Sequence, residues 1–130
     1  RPDAEVWVVV GDGGFQMTIQ ELGTILHYDI PVKIILLNNN FLGMVRQWQD
    51  MFFEKRYAST ELVNPDFVAI AKAYNIEAKT VTNREDLQDS ITGMLNCAGP
   101  YFLEVMIEKE ANVLPMIEPG SSVSEIRLTY

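Results

Sequence analysis

Four short strand-like runs, at 6–10, 32–38, 76–81 and 101–107, alternate with amphipathic segments along the chain. Each run has the length and the β-branched or aromatic composition of a strand. Between the runs, apolar side chains recur every three or four residues, as on a helix with one buried face. The alternation predicts an α/β fold, an open and mostly parallel sheet with helices on both faces. The first run, VWVVV, is typical of a central strand that is buried on both faces.

The predicted helices have recognisable ends. One helical pattern covers 15–26 in a single run, and Pro31 stops it before the second strand. Another covers MVRQWQDMFF at 44–53. Asn64 and Asn83 stand at the start of the last two helices, where a side-chain oxygen can cap the first turn. Leu87, Ile91 and Leu95 would form the buried face of the last helix, and the tail after 117 is predicted to be a loop.

Length, charge and cysteine content limit the partners. The 130 residues suit one domain, and the net charge of −8 opposes binding to nucleic acid or to an anionic membrane. No apolar run approaches the length of a membrane span. The single cysteine, Cys97, cannot form an internal disulfide, so we expect a reducing, cytoplasmic location. The chain begins RPDAEVWVVV without an initiator methionine. We expect residues 1–130 to be one domain of a longer protein, truncated on its N-terminal side.

The turn Gly11-Asp12-Gly13-Gly14 follows the first strand and allows three interpretations. A dinucleotide fingerprint fails because Gln16 stands where the third glycine belongs. A P-loop fails because Gln16 and Met17 stand where it requires glycine and lysine. A metal site fits better: Asp12 offers a hard oxygen, and the glycines let main-chain N–H groups approach an anion. A divalent cation would remove the repulsion between the carboxylate and that anion.

A second polar loop supports the metal interpretation. Asn39 follows Asp12 by 27 positions, across one helix and one strand. Because the carboxyl ends of parallel strands meet at one edge of a sheet, we expect Asn39 to lie near Asp12 and to offer a neutral oxygen ligand. The alternative, in which Asp12 only shapes the turn or caps a helix, stays open at this point.

The two loops together carry a family resemblance. The pattern GDGGF…LLNNNF resembles the thiamine diphosphate (thiamine pyrophosphate) motif of the pyruvate decarboxylase and acetolactate synthase superfamily. Within it, GDGGFQMTIQELGTI and LNNNFLGMVRQWQDMFF are similar to the catalytic large subunit of acetolactate synthase. The similarity continues through PDFVAIAKAY, GPYFLEVMI and VLPMIEPG, so it covers essentially the whole chain. The stretch LGMVRQWQ is the most discriminating, because sister enzymes tend to differ there.

The resemblance implies a set of site residues. The fold would be a partial thiamine diphosphate-binding domain, and Mg²⁺ would be bound by the side chains of Asp12 and Asn39 and by the main-chain carbonyl of Phe41. The implied cofactor contacts are Asp12, Gly13, Gly14, Asn39, Phe41, Gly43 and Met44. Gln47 and Trp48 would lie near the substrate channel, and the segment at Pro119-Gly120 would close over the site. The family often has serine where this chain has Gly14, so a hydroxyl contact would be absent.

The resemblance also implies an activity. The parent enzyme, a transferase, would condense two 2-ketoacids, pyruvate with pyruvate or with 2-ketobutyrate, losing CO₂, in branched-chain amino-acid biosynthesis. The glutamate that activates the cofactor would come from a missing domain of a partner subunit, so no catalytic residue is assigned here and the fragment alone would be inactive. FAD would bind the full-length enzyme but not this chain. A homodimer or higher homo-oligomer and a regulatory small subunit are the implied partners. The alternatives are pyruvate oxidase, a 2-ketoacid decarboxylase, glyoxylate carboligase or a non-catalytic binding module.

Overall fold

The computed structural model describes residues 3–129, so residues 1, 2 and 130 of the predicted domain lie outside the described part. Four strands form a parallel sheet in the order β1-β2-β4-β3. They are β1 (Trp7–Gly11), β2 (Lys33–Asn38), β3 (Glu77–Val81) and β4 (Tyr101–Met106). Each lies within one residue of a predicted run, and the predicted parallel sheet is confirmed. Two further short strands, β5 (Met116–Ile117) and β6 (Ile126–Arg127), pair antiparallel, so the tail after 117, which was predicted to be a loop, contains β6.

Within residues 3–129, five α-helices connect the strands: α1 (Asp12–Gln16), α2 (Leu22–Tyr28), α3 (Gly43–Phe52), α4 (Phe67–Ala73) and α5 (Leu87–Asn96). The prediction of one continuous helix over 15–26 is wrong. Thr18 has φ −128° and ψ 12°, outside the helical region. Its amide donates to the Phe15 carbonyl at 2.9 Å and ends α1. A single 3₁₀ turn at Ile19–Glu21 then leads into α2.

Neither predicted asparagine cap is present. The cap of α4 is Asp66, whose Oδ1 accepts from the Ala69 amide at 2.8 Å, while Asn64 lies two residues upstream. Asn83 precedes a 3₁₀ turn at Arg84–Asp86 and makes no capping hydrogen bond with its side chain. Asn64 is therefore free to serve another part of the fold.

The core has two parts, one on each face of the sheet. Helices α1, α2 and α4 cover one face, where the ring of Phe15 packs against Phe67 and Phe102 at centroid distances of 5.5 and 5.1 Å. Helix α5 covers the other face and buries Met94, with Leu95 left 49% exposed contrary to the prediction. Successive residues of β2 and β4 point to opposite faces, which is why both faces are apolar. The predicted placement of helices on both faces is confirmed.

The position of β1 differs from the prediction. It lies at the edge of the sheet and pairs with β2 alone in the described part of the chain. Val6, Val8 and Val9 are 49%, 40% and 63% exposed, and Val10 is the residue of β1 that packs against the core. The VWVVV run is thus an apolar edge rather than a doubly buried centre. Among residues 3–129, no helix combines the length and the apolar character needed to cross a membrane.

Candidate functional site

The candidate site lies where β1 and β2 end side by side. Gly11 pairs with Leu37 in the parallel register, so the next residues along the two strands, Asp12 and Asn38, lie beside each other. Asp12 is 2% exposed, and its Oδ1 accepts from the Gly13 amide at 3.0 Å. The predicted meeting of the GDGG turn with the asparagine loop is therefore present, with a buried carboxylate at its centre.

The loop after β2 is held by its own side chains. Asn38 Oδ1 accepts from the Asn40 amide, and Asn39 Oδ1 accepts from the Phe41 amide, each at 3.0 Å. Asn40 has φ 59°, a left-handed conformation that asparagine tolerates better than most residues. Hydrogen bonds of 2.8 Å join Leu62 N to Asn40 O and Leu42 N to Thr60 O. The segment at 60–62 thus pins the loop in one conformation.

Asn64 completes the site, a role that the sequence pattern alone does not reveal. Its Nδ2 lies 2.7 Å from Asp12 Oδ2, 3.0 Å from Asn38 Oδ1 and 3.1 Å from Asn40 Oδ1. Its Oδ1 accepts from Gln16 Nε2 at 2.6 Å. The Asn-Pro-Asp sequence fits a helix cap at either polar residue. Because Asp66 caps α4, the side chain of Asn64 can instead bond the GDGG turn and the asparagine loop.

A buried acid extends the network across the sheet. Glu104 on β4 is 8% exposed, and its two carboxyl oxygens accept from Asn38 Nδ2 at 2.8 Å and from Thr80 Oγ1 at 2.7 Å. Glu104 on β4 and Thr80 on β3 are thereby joined to Asp12 through Asn38 and Asn64. The carboxyl groups of Asp12 and Glu104 lie at the two ends of this chain of amides, and each can only accept hydrogen bonds when it is ionised.

The predicted site residues are brought together only in part. Asp12 and the asparagine loop meet, but no hydrogen bond links Asn39 to Asp12 among the described residues, because Asn39 turns its oxygen to its own loop. Met44, in the first turn of α3, is 52% exposed. Residue by residue, the predicted metal and cofactor contacts therefore stay predictions.

Three glycines of the site differ in what they allow. A Cβ on Gly13 would lie 2.8 Å from Leu42 Cδ2 and 3.2 Å from Leu62 Cδ1, so the ends of these two side chains would have to shift to admit it. A Cβ on Gly14 would lie 3.4 Å from Val10 Cγ2, an ordinary contact that leaves room for serine. On Gly43 it would lie 3.2 Å from Asn39 Nδ2 and would disturb the loop.

The donor atoms suit a hard divalent cation. Each oxygen of Asp12 accepts one hydrogen bond from the chain, and a carboxylate has about four lone-pair sites. Capacity for an ion therefore remains. Within residues 3–129, no group of three or more His, Cys, Asp or Glu side chains could hold a metal. A single carboxylate with neutral oxygens fits Mg²⁺, which completes its shell with phosphate oxygens and water.

Gln47 joins α3 to the tail. It is 2% exposed; its Nε2 donates to the Val113 carbonyl at 2.9 Å, and its Oε1 accepts from the Val113 amide at 2.7 Å. Trp48 is half-buried and packs on Phe52 at a centroid distance of 5.4 Å. The substrate-channel role of Gln47 and Trp48 stays a prediction, and the structure gives Gln47 a second task in holding the tail.

Arg46 organises the other side of α3. Its guanidinium lies over the rings of Tyr57 and Phe41 at 4.6 and 5.3 Å and donates to the Lys109 carbonyl at 3.0 Å. A cleft of about 370 Å³ opens here, away from Asp12. The Tyr57 hydroxyl donates to Asp50 at 2.5 Å, and this hydrogen bond raises the pKa of Tyr57 above its ordinary value. Phe41 therefore has its ring packed under the Arg46 guanidinium and its amide bonded to Asn39.

Comparison with known proteins gives a family match. Residues 1–105 match the family model described as "Thiamine pyrophosphate enzyme, C-terminal TPP binding domain". The matched stretch contains β1, β2, β3 and β4 up to residue 105, and every side chain of the Asp12 network.

The relatives agree with this match. The chain is 46% identical to the acetolactate synthase isozyme 2 large subunit of Escherichia coli (strain K12) over 127 residues, which are 97% of this chain and 23% of that protein. It is 40% identical to the acetolactate synthase large subunit of Pyropia yezoensis over 128 residues, 97% of this chain and 22% of the relative. These relatives confirm the resemblance to acetolactate synthase large subunits. The chain spans less than a quarter of their length.

A solved structure has the same fold. The thiamine diphosphate-dependent 4-hydroxybenzoylformate decarboxylase of Rhodococcus jostii RHA1 superposes with a TM-score of 0.75 at 29% identity. The match covers 82% of this chain and 20% of that one.

Proposed function

We propose that this chain is the diphosphate-binding and metal-binding part of an acetolactate synthase large subunit. The premise is that the chain belongs to the thiamine pyrophosphate enzyme family, in which it matches the C-terminal TPP-binding domain. The complete parent protein would condense pyruvate with pyruvate or with 2-ketobutyrate and release CO₂. The observation that carries the proposal is the buried Asp12 carboxylate, which lies between two loops at the carboxyl edge of the sheet with lone pairs to spare.

The chain's own residues would bind and orient the cofactor. Asp12, the side chain of Asn39 and the main-chain carbonyl of Phe41 would hold Mg²⁺. Asn39 Oδ1 already accepts from the Phe41 amide and keeps a second lone pair for the ion. Gly13 and Gly14 would approach the diphosphate, and Gly43 and Met44 would lie along the cofactor. When bound, thiamine pyrophosphate supplies the electron sink for bond cleavage next to a ketone.

The rest of the machinery belongs to the parent protein. The activating glutamate and FAD would be held by parts of the relatives' length that this chain does not span. The active unit would be a homodimer or a higher homo-oligomer, with a regulatory small subunit as a further partner. The cytoplasmic location suggested by the single cysteine, and the single-domain organisation of 1–130, remain predictions on the same footing.

Product analysis of the complete parent protein tests the proposal. The protein is incubated with pyruvate, Mg²⁺, thiamine pyrophosphate and FAD, and we expect acetolactate as the main product. Acetaldehyde would favour a 2-ketoacid decarboxylase, a candidate supported by the decarboxylase of similar structure. Acetyl phosphate with peroxide would favour a pyruvate oxidase. Bound cofactor with no consumption of pyruvate would mean another ketoacid or a binding module.

The metal assignment has its own test. In the parent protein, replacing Asp12 by alanine removes the carboxylate from the proposed ligand set. We expect Mg²⁺-dependent binding of thiamine pyrophosphate to be lost in a titration of the variant. Unchanged cofactor affinity would reject Asp12 as a ligand, whatever the products of the reaction are.

A further inference from the structure

Asp12 is oriented by two donors, one on each oxygen. The Gly13 amide donates to Oδ1 at 3.0 Å, and Asn64 Nδ2 donates to Oδ2 at 2.7 Å. The first donor belongs to the adjacent residue and comes with the turn itself. The second comes from a segment 52 residues away. Asn64 is therefore the side chain that fixes the plane of the carboxylate relative to the asparagine loop.

The direction of Asn64 is itself determined by its neighbours. An ionised Glu104 can only accept, so Asn38 must turn its amide nitrogen to Glu104 and its oxygen to Asn64. Asn64 then faces oxygen atoms of Asp12, Asn38 and Asn40 and must present its nitrogen to them. A reversed Asn64 amide would place oxygen against oxygen at all three contacts. Only one arrangement of the two amides satisfies both carboxylates.

We propose that Asn64 is a positioning residue for the cation held by Asp12, and that Glu104 acts on Asn64 through Asn38. This inference rests on the proposed function, since it assumes that Asp12 binds a divalent cation. Neither residue would bind the ion directly. Their part is to hold the unshared lone pairs of Asp12 in one direction, and outer partners of this kind typically change metal affinity by about 10- to 100-fold when removed.

The first test compares two variants of the same segment in the complete parent protein. Asn64→Ala removes the donor to Asp12. Asp66→Ala, the matched control, removes the cap of α4 two residues away and leaves Asp12 untouched. Binding of Mn²⁺ is followed by electron paramagnetic resonance at a fixed concentration of thiamine pyrophosphate. We expect about 10- to 100-fold weaker Mn²⁺ binding for Asn64→Ala. For Asp66→Ala we expect a change below about threefold, because no donor to the carboxylate is lost.

The second test addresses Glu104. Glu104→Gln keeps an acceptor for Asn38 and a donor for the Thr80 hydroxyl, and we expect near-normal Mn²⁺ affinity. Glu104→Met removes both and should weaken Mn²⁺ binding on the order of tenfold. If Glu104 acts through Asn64, then Glu104→Met adds little to Asn64→Ala in the double variant, whereas independent effects would multiply. Circular dichroism without metal shows whether each variant is folded. If Glu104→Met is not folded, the comparison of Asn64→Ala with Asp66→Ala tests the inference.

Two results would overturn the inference. Unchanged Mn²⁺ binding in Asn64→Ala would show that Asp12 needs no orienting donor. An equal loss in Asn64→Ala and Asp66→Ala would show that the segment acts only by its general stability. Failure of the wild-type parent to bind Mn²⁺ with thiamine pyrophosphate would instead contradict the proposed function.

Discussion

Replacing Gln47 by leucine should release the tail from α3 without disturbing the sheet. Gln47 makes two hydrogen bonds to the peptide groups of Val113, at 2.7 and 2.9 Å, from a position that is 2% exposed. A neutral hydrogen bond contributes a net of about 0.5–1.5 kcal/mol, so the loss of both is worth about 1–3 kcal/mol. Both core clusters lie elsewhere, and the penalty falls on a local opening of the tail.

Hydrogen exchange followed by mass spectrometry measures that opening. For peptides that cover residues 112–116 we expect exchange to be faster by about 5- to 150-fold, the range that corresponds to about 1–3 kcal/mol. Peptides from β2 and β4 should exchange at the wild-type rate. The free energy of global unfolding should change less than that of the tail.

The chain offers a matched control on the same helix. Gln49 makes the same pair of bonds to Ala58, at 2.9 and 3.0 Å, but in an exposed setting where water can replace them. Gln49→Leu should change exchange at residues 57–59 by only about twofold. Equal effects of the two substitutions, or no effect of Gln47→Leu on 112–116, would refute the reasoning that burial makes Gln47 the stronger of the two.

Three further predictions follow from local packing, ionisation and the sheet edge. Gly13→Ala should lower the free energy of unfolding by about 1 kcal/mol, because the ends of Leu42 and Leu62 must shift, while Gly14→Ser changes it by less than about 0.5 kcal/mol, measured by urea denaturation; equal losses would contradict the packing at position 13. The hydrogen bond to Asp50 raises the pKa of Tyr57 above 10.0 and is lost as pH rises through that raised value. Asp50→Asn should therefore lower this pKa in an alkaline absorbance titration read against Tyr57→Phe, and an unmoved titration would exclude this cause. The 130-residue chain should self-associate through the exposed β1 edge, and Val9→Lys should reduce that association in sedimentation velocity; a clean monomer at high concentration would count against it.

The strands could be predicted because each is a short segment, mostly apolar in β1, β2 and β4, that lies between turn or helix signals. The burial of β1 could not be predicted, because an all-apolar run such as VWVVV can form either an edge strand or a central strand. The break after α1 was missed for a similar reason. Apolar spacing continues through Ile19 and Leu22, while the geometry of Thr18 ends the helix.

The site was predicted as far as parallel topology allows. Because β1 and β2 are parallel neighbours, their carboxyl ends had to bring Asp12 and the asparagine loop together. The role of Asn64 could not be predicted in this way, because its partner Asp12 is 52 residues distant in the sequence. The Asn-Pro-Asp sequence is also typical of a helix start, where Asn64 would be the cap. The role of Glu104 could not be predicted either. A single acid in an apolar strand indicates a buried network only when its partners on the neighbouring strands, here Asn38 and Thr80, are known.

The ligand set of the metal is the claim on which the proposed function depends most directly. A crystal structure of the parent protein with thiamine pyrophosphate and Mn²⁺, read from the anomalous signal of the metal, tests it in one measurement. We predict a peak within bonding distance of Asp12, Asn39 and the Phe41 carbonyl, with the cofactor's diphosphate completing the shell. A cofactor whose metal lies away from Asp12, or a diphosphate bound elsewhere on the sheet, would contradict the account.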